Sequence, residues 1–307
     1  NTVAASINGQ AEDAVYTSAA YYRLTADIDF DNKNLTPISF TADNTIYFEG
    51  EFDGAGHKLL NVKIVAPGKS CGVFGANKGT IRDLAVEGAL STEFKIAGGI
   101  VGINAGVIDG ATFKGDITGG TGAKTIGGIA GQNKGTLVNC ANLGGTMKTD
   151  APKDPNMGGI VGQSQKQVSD NWAKCHVSGG NLVGGIAGEA SQLMGNRALV
   201  TLENAGEYTG AIAGRLSGDG ESTENLFVDS GALAGIDGIS YAGSAEPISY
   251  NRFMELENVP EYFGKMIITF VADDVTYTRR VDYNRRLKDV PEVPEKDGCS
   301  GVWADFE

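Results

Sequence analysis

A small apolar strand closed by glycine returns six times along this chain, and no other feature limits the fold as tightly. It reads Gly72-Val73-Phe74-Gly75, Gly99-Ile100-Val101-Gly102, Gly128-Ile129-Ala130-Gly131, Gly159-Ile160-Val161-Gly162 and Gly185-Ile186-Ala187-Gly188, with a weaker copy at Ala211-Ile212-Ala213-Gly214. The closing glycines Gly75, Gly102, Gly131, Gly162, Gly188 and Gly214 stand 27, 29, 31, 26 and 26 residues apart. A unit of this length cannot bury its apolar side alone. Stacked copies can, and a fixed period in this range marks a solenoid.

Each repeat has a second half that can also be aligned. Leu84, Ala111, Cys140, Cys175, Ala198 and Leu226 form one small or apolar column. Two residues on stand Val86, Phe113, Asn142, Val177, Val200 and Val228, and a spacing of two puts both columns on one strand face. Ile81, Ile108, Leu137 and Trp172 precede the first column, and the later repeats carry Gly195 and Thr223 there. A third column is polar: Asn77, Asn104 and Asn133 follow the closing glycine, then decay to Ser164, Ala190 and Leu216. Asparagine tolerates left-handed backbone and bonds its own main chain, which suits a coil corner.

The expected fold is therefore all-β: a parallel β-helix-like solenoid of about seven coils followed by a small β module. The solenoid, with a lead-in segment, takes residues 1–245, and 246–265 read as a linker. Residues 266–307 read as the module, with Ile267–Val271 and Tyr277–Val281 forming a hairpin around Asp273-Asp274. Between repeats, Thr149–Asn156 holds two prolines and several charges and reads as a projecting loop.

The 45 glycines are periodic and flanked by Val, Ile and Ala, so disorder is the wrong reading. A net charge of −13 argues against a nucleic-acid partner, which would need a concentrated positive field. No apolar run reaches the roughly 18 residues needed to span a bilayer, so no membrane insertion is expected. The chain begins Asn1-Thr2-Val3, which suggests a processed product; secretion is permitted. Four widely spaced cysteines lack a C-x-x-C pair and do not read as a zinc cluster.

Several residues are candidates for chemistry. Asp27, Asp29 and Asp31 alternate and would share a strand face, either solvated or holding calcium, a hard ion that takes oxygen ligands. Cys140 and Cys175, if in register, would stack about 5 Å apart, as a disulfide or as two buried thiols. His57 and His176 lie near no nucleophile elbow or His-Glu-x-x-His motif, and His57 reads as structural. Arg279, Arg280, Arg285, Arg286 and Lys288 read as a solvated basic face. Trp172, Tyr208 and Tyr241 could stack on sugars if exposed.

The phrase Gly-Gly-Ile-Val-Gly-x-Asn-x-Gly, best at 99–106 and 128–135, resembles the GLUG motif of bacterial surface proteins. The lead-in from Asp27-Ile28-Asp29 to Phe52-Asp53-Gly54-Ala55-Gly56-His57 is similar to that of the same proteins; together these cover about residues 20–230. The resemblance implies a right-handed parallel β-helix. The tail, Pro291–Gly298 ahead of Gly301-Val302-Trp303, resembles the β-grasp repeats of internalin-like proteins. Such modules continue past the Gly-x-Trp, which suggests an incomplete module or a fragment.

The expected function is a non-catalytic extracellular segment of a bacterial surface protein, secreted or on the cell surface, acting as stalk or adhesin-type binding surface. A host or cell-surface glycan or protein would be the partner, and a monomer is expected. The alternatives are a polysaccharide lyase or hydrolase on the same fold and a pure spacer. Hydrolases of this fold mark their carboxylates with Asn-Thr-Asp, Asp-Asp and Gly-His-Gly, none of which occurs in the coil region. No cross-repeat column of Asp, Lys and Arg of the lyase kind stands out. No cofactor is expected apart from possible calcium.

Overall fold

The computed structural model describes residues 2–9, 16–40, 46–65, 69–92, 95–151, 155–203, 206, 208–229, 234–236, 244–295 and 301–304. The chain divides into two units, Asn1–Phe253 and Met254–Glu307. The first is a β-solenoid of about seven turns whose strands pair in parallel within three sheets.

The glycine phrase sets the register. Phe74, Val101, Ala130, Val161, Ala187 and Ala213 stand beside one another on consecutive coils. All six are buried and fill one column of the core. The closing glycines are required because another coil crosses over them. A Cβ on Gly102 would come within 2.6 Å of the Ser70 Cβ, and one on Gly214 within 2.5 Å of the Val183 nitrogen. The opening glycines face the second sheet, where a Cβ on Gly99 would sit 2.4 Å from the Phe113 ring.

The polar column falls where its spacing places it. Asn77, Asn104, Asn133, Ser164, Ala190 and Leu216 are in register. In the early coils the asparagine marks a corner between two short strands, such as Val101–Asn104 and Val107–Asp109. Past Asn133 the corner gives way to one long strand per coil, Val161–Ser169 and then Ala187–Met194 and Ala213–Thr223. The register then shifts between Ser164 and Gln167 and again between Ala190 and Gln192, so a bulge does the bending.

Beyond that bulge the register differs from the sequence alignment. The column through Leu84, Ala111 and Cys140 continues to Asn171, Asn196 and Asn225, because the residues after each pair in line. Cys175, Ala198 and Leu226 do not belong to it. The next inward column runs Val86, Phe113, Asn142, Ala173, Ala198 and Phe227, so Val177, Val200 and Val228 lie elsewhere. Val168 and Leu193 continue the column of Ile81, Ile108 and Leu137, in place of Trp172 and Gly195.

Aromatic rings close the first end of the core. Phe48 and Phe52 pack on Phe74 at 5.2 and 5.3 Å, with Tyr22 outside them. At the far end Ala245–Ile248 adds a parallel strand to Asn225–Val228; three strands back, Trp172 meets Phe253 edge-on at 5.5 Å. Residues 246–248, read from sequence as linker, thus extend the solenoid. Pro247 in that last strand withholds an N–H from any further pairing.

In the second unit Lys265–Ala272 and Val275–Asp282 form an antiparallel hairpin. Ala272 faces Val275, so Asp273-Asp274 is the two-residue turn, with Asp273 at φ 48°. The tail packs on this hairpin through Trp303, whose ring stands 5.0 Å from Phe270 and whose indole N–H donates to the Pro291 carbonyl at 2.6 Å. Cys299 and Gly298 lie outside the described residues.

Candidate functional site

Two rows of buried asparagine hold the coils together. In the first, Asn77 Nδ2 donates to Asn104 Oδ1 at 2.8 Å, Asn104 Nδ2 to Asn133 Oδ1 at 2.8 Å, and Asn133 Nδ2 to Ser164 Oγ at 3.0 Å. Each rung also bonds its own corner: Gly106 N–H donates to Asn104 Oδ1 at 3.2 Å. In the second row, Asn171 Nδ2 donates to Asn196 Oδ1 at 3.0 Å and Asn196 Nδ2 to Asn225 Oδ1 at 2.8 Å. Here the carboxamide oxygens also accept the backbone N–H of the preceding coil, Cys140 to Asn171, Asn171 to Asn196 and Asn196 to Asn225. All six asparagines are fully buried, and each is held through its amide nitrogen; at the head of the first row Asn77 Oδ1 is left without a hydrogen-bond partner among the described residues.

The outer faces carry charge in opposed columns. Buried Asp53 stands beside Arg82, and Arg82 beside Asp109. Arg82 reaches Asp53 at 2.7 Å and Glu51 at 2.7 Å, and Tyr21 donates to Asp53 at 3.0 Å. Burial pushes the Asp53 carboxyl up, but the Ala55 N–H, Tyr21, Arg82 and Arg23 outweigh it and hold it below the usual range. Glu189, also buried, takes Arg215 at 2.5 Å and Gln163 at 2.9 Å. Arg215 in turn lies over the half-buried Tyr208 ring.

The second sheet presents a groove of about 400 Å³. Its floor is the small pair Ala89 and Ser91. Lys63 and Asp116 flank Ala89 on neighbouring coils, and Val65 and Thr118 flank Ser91. At one end Glu87 bridges Lys58 at 3.0 Å and Lys114 at 3.5 Å. Burial raises the Glu87 carboxyl, yet the two ammonium groups bring it below its ordinary value. The groove thus offers ammonium, carboxylate, hydroxyl and aliphatic surface side by side.

The three aspartates do not share a strand face. Only Ile28–Asp29 is strand, and Asp31 turns away with φ 52°. Asp27 accepts the Lys58 N–H at 3.0 Å and meets His57 Nδ1 at 3.2 Å; Asp29 accepts from the Asp31 N–H and Asn61. Those bonds lower both carboxyls, the backbone N–H of Lys58 and of Asp31 contributing most. Asp31 pairs with Lys33 at 3.5 Å. Among the described residues no three His, Cys, Asp or Glu side chains are gathered to hold a metal ion.

Cys140 and Cys175 are not stacked. Cys140 stands beside Ala111 and Asn171, whereas Cys175 stands beside Val200, four residues further along its strand. Both are buried thiols, and burial pushes each up to about 12. His176 meets Glu203 at 3.5 Å. Arg279 of the basic group in the second unit pairs with Asp289 at 3.1 Å. Tyr241 and residues 152–154 of the projecting loop lie outside the described residues. One charged column escapes a reading of the sequence alone: Lys69, Lys95 and Lys124 stand one step ahead of Ser70, Ile96 and Thr125, which are in register. Its signal is a lysine six or seven residues before each of three successive closing glycines.

No family model matches the chain, and no solved structure matches it. Over an alignment of 122 positions that covers 36% of the chain, it is 30% identical to halomucin of Haloquadratum walsbyi. The matched region spans 1% of that protein's length. No helix among the described residues is long and apolar enough to cross a membrane.

Proposed function

We propose that this chain is a non-catalytic extracellular segment of a cell-surface protein, a stiff solenoid that presents a glycan-binding face. The observation that supports it is the unbroken parallel stack, whose columns keep register across at least six coils and leave a mixed polar and aliphatic groove on one outer sheet. Such a stack keeps outer side chains at the fixed strand spacing of about 4.8 Å, a preorganised surface that loses little entropy on binding. The resemblance of residues 99–106 and 128–135 to the GLUG motif supports the same setting, as does the partial likeness to halomucin. The resemblance of the tail, Pro291–Gly298 ahead of Gly301-Val302-Trp303, to internalin-type β-grasp repeats supports the same setting.

A glycan-array screen of the full chain, with calcium and with chelator, tests the reading. Selective binding that is lost in Ala89→Trp, which fills the groove floor, is the expected result. Products released from a bound polysaccharide, or a blank array in both conditions, would overturn it.

A further inference from the structure

The second unit concentrates positive charge in a protein whose net charge is −13. A groove of about 340 Å³ lies between the strand Val275–Asp282 and the segment 285–289 that follows it. Arg279, Arg280, Arg285, Arg286 and Lys288 line it, together with Asp282 and Asp289. Both acids are already matched, Asp289 by Arg279 at 3.1 Å and Asp282 by Lys265 at 2.9 Å. Arg279 Nε also donates to the Asp289 carbonyl at 2.8 Å, so one side chain ties the two walls of the groove. Arg280, Arg285, Arg286 and Lys288 are exposed and have no ion-pair partner among the described residues.

One wall is also a free strand edge. Among the described residues Val275–Asp282 pairs only with Lys265–Ala272. The Tyr283 N–H donates to the Gly264 carbonyl at 2.7 Å, and hydrogen-bonded pairs alternate along an antiparallel ladder. Arg280 and Asp282 therefore turn their N–H and C=O groups to the outer edge, away from Ile267 and Lys265 opposite them. Their neighbours agree: the Lys265 N–H bonds the Tyr262 carbonyl instead, and the Asp282 carbonyl accepts the Arg285 N–H at 2.9 Å. Two N–H donors thus face outward about 6.8 Å apart, the distance at which an extended peptide repeats its carbonyls along one edge.

We infer that this groove is a docking site for an extended acidic segment of a partner protein. The segment's carbonyls accept the Arg280 and Asp282 N–H groups, and its carboxylates lie against Arg280, Arg285, Arg286 and Lys288. Main-chain bonds to a sheet edge supply affinity, and the alternating side chains supply selectivity. Guanidinium forks match carboxylates in two parallel bonds, which glutamate or aspartate provides. The same charge turns away the equivalent edge of a second copy, since cations would meet cations. An acidic polysaccharide shares the charge but has no row of amide carbonyls at the strand repeat. The site lies within the second unit, so it stands apart from the glycan reading of the solenoid.

The test follows the fluorescence anisotropy of a labelled hexaglutamate peptide mixed with the full chain. Wild type is expected to bind it saturably, and more weakly as salt rises. R280Q/R286Q is expected to lose about threefold to thirtyfold in affinity. Its melting temperature should not change, since both side chains are exposed. K148Q/K166Q removes the same charge from exposed positions of the solenoid and should bind as wild type does. Unlabelled hexaglutamate should displace the probe at a lower carboxylate concentration than polygalacturonate does. No binding by wild type, unchanged binding by R280Q/R286Q, or equal losses in the two double variants would overturn the site. Displacement by polygalacturonate at an equal or lower carboxylate concentration would overturn the peptide and put an acidic glycan in its place.

Discussion

The early and late coils of the solenoid solve one problem in two places. Coils around Asn77, Asn104 and Asn133 turn a corner with an asparagine that bonds its own coil and the next. Coils around Asn171, Asn196 and Asn225 let the first corner relax into a bulged strand and move the asparagine row to the next corner. The rows hand over in a single coil, which holds both Ser164 and Asn171. There Asn133 donates to Ser164, and Cys140 donates its N–H to Asn171. A stack of parallel coils thus needs at least one corner where side chains stitch the backbone, and which corner is a matter of local sequence.

The two rows are not equivalent in cost. Removing Asn196 leaves the buried Asn171 backbone N–H without its acceptor and leaves Asn171 Nδ2 only the Leu137 carbonyl at 3.4 Å. It also frees the Val168 carbonyl, which Asn196 Nδ2 holds at 2.9 Å. We expect Asn196→Ala to lower stability by about 3–5 kcal/mol in urea unfolding, or to prevent folding. A loss below about 1 kcal/mol would break the claim that this row carries the late coils.

Asn104→Ala is expected to cost less, about 1–3 kcal/mol. Asn77 Nδ2 loses an acceptor, but the Gly106 N–H is only half-buried and turns to water. If the two variants proved equal under the same denaturant, exposure of the corner would not be what separates the rows.

The rows are neutral, so their contribution does not change with acid; that of the first coil does. The Asp53 carboxyl is held below its usual range in the folded chain. Its stabilisation is therefore complete above the unfolded carboxylate range, near pH 4, and is lost as pH falls through the folded value. Asp53→Asn should be less stable than wild type at pH 7, and the gap should narrow between about pH 4 and pH 2. A gap that stays constant across melts in that range would remove Asp53 from the acid limb.

The smallest effect sharpens the comparison most. Cys140 occupies the rung just before Asn171, and its thiol already lies against the Val138 carbonyl at 3.1 Å. Cys140→Asn should extend the late row by one coil and change stability by no more than about 1 kcal/mol in either direction. A loss above about 2 kcal/mol would show that the rung needs a corner geometry found only in the late coils.

Much of this was legible in the residues. The closing glycines alone fixed the phase of the first sheet through Leu216, because a crossing strand forbids a side chain at each of those points. The hairpin at Asp273-Asp274 followed from two β-rich runs flanking a turn pair. The late asparagine row is within reach of the sequence as well. Ala111, Cys140 and Asn171 each stand nine residues after a closing glycine, but requiring every inward column to be apolar selects Cys175 over Asn171. That requirement fails because a buried carboxamide is acceptable when identical neighbours one strand away pair with it.

Sequence by itself, then, determined the period, the parallel stack and the first corner, since these follow from glycines that no other residue can replace. Only the tertiary structure decided where the second corner falls in the last coils. Asn196 stands eight residues after Gly188 and Asn225 eleven after Gly214, because bulges absorb a different number of residues in each coil. The same holds for the column of Lys69, Lys95 and Lys124 and for the separation of Cys140 from Cys175. Both depend on which residues lie opposite one another, and backbone pairing across coils sets that where counting along the chain does not.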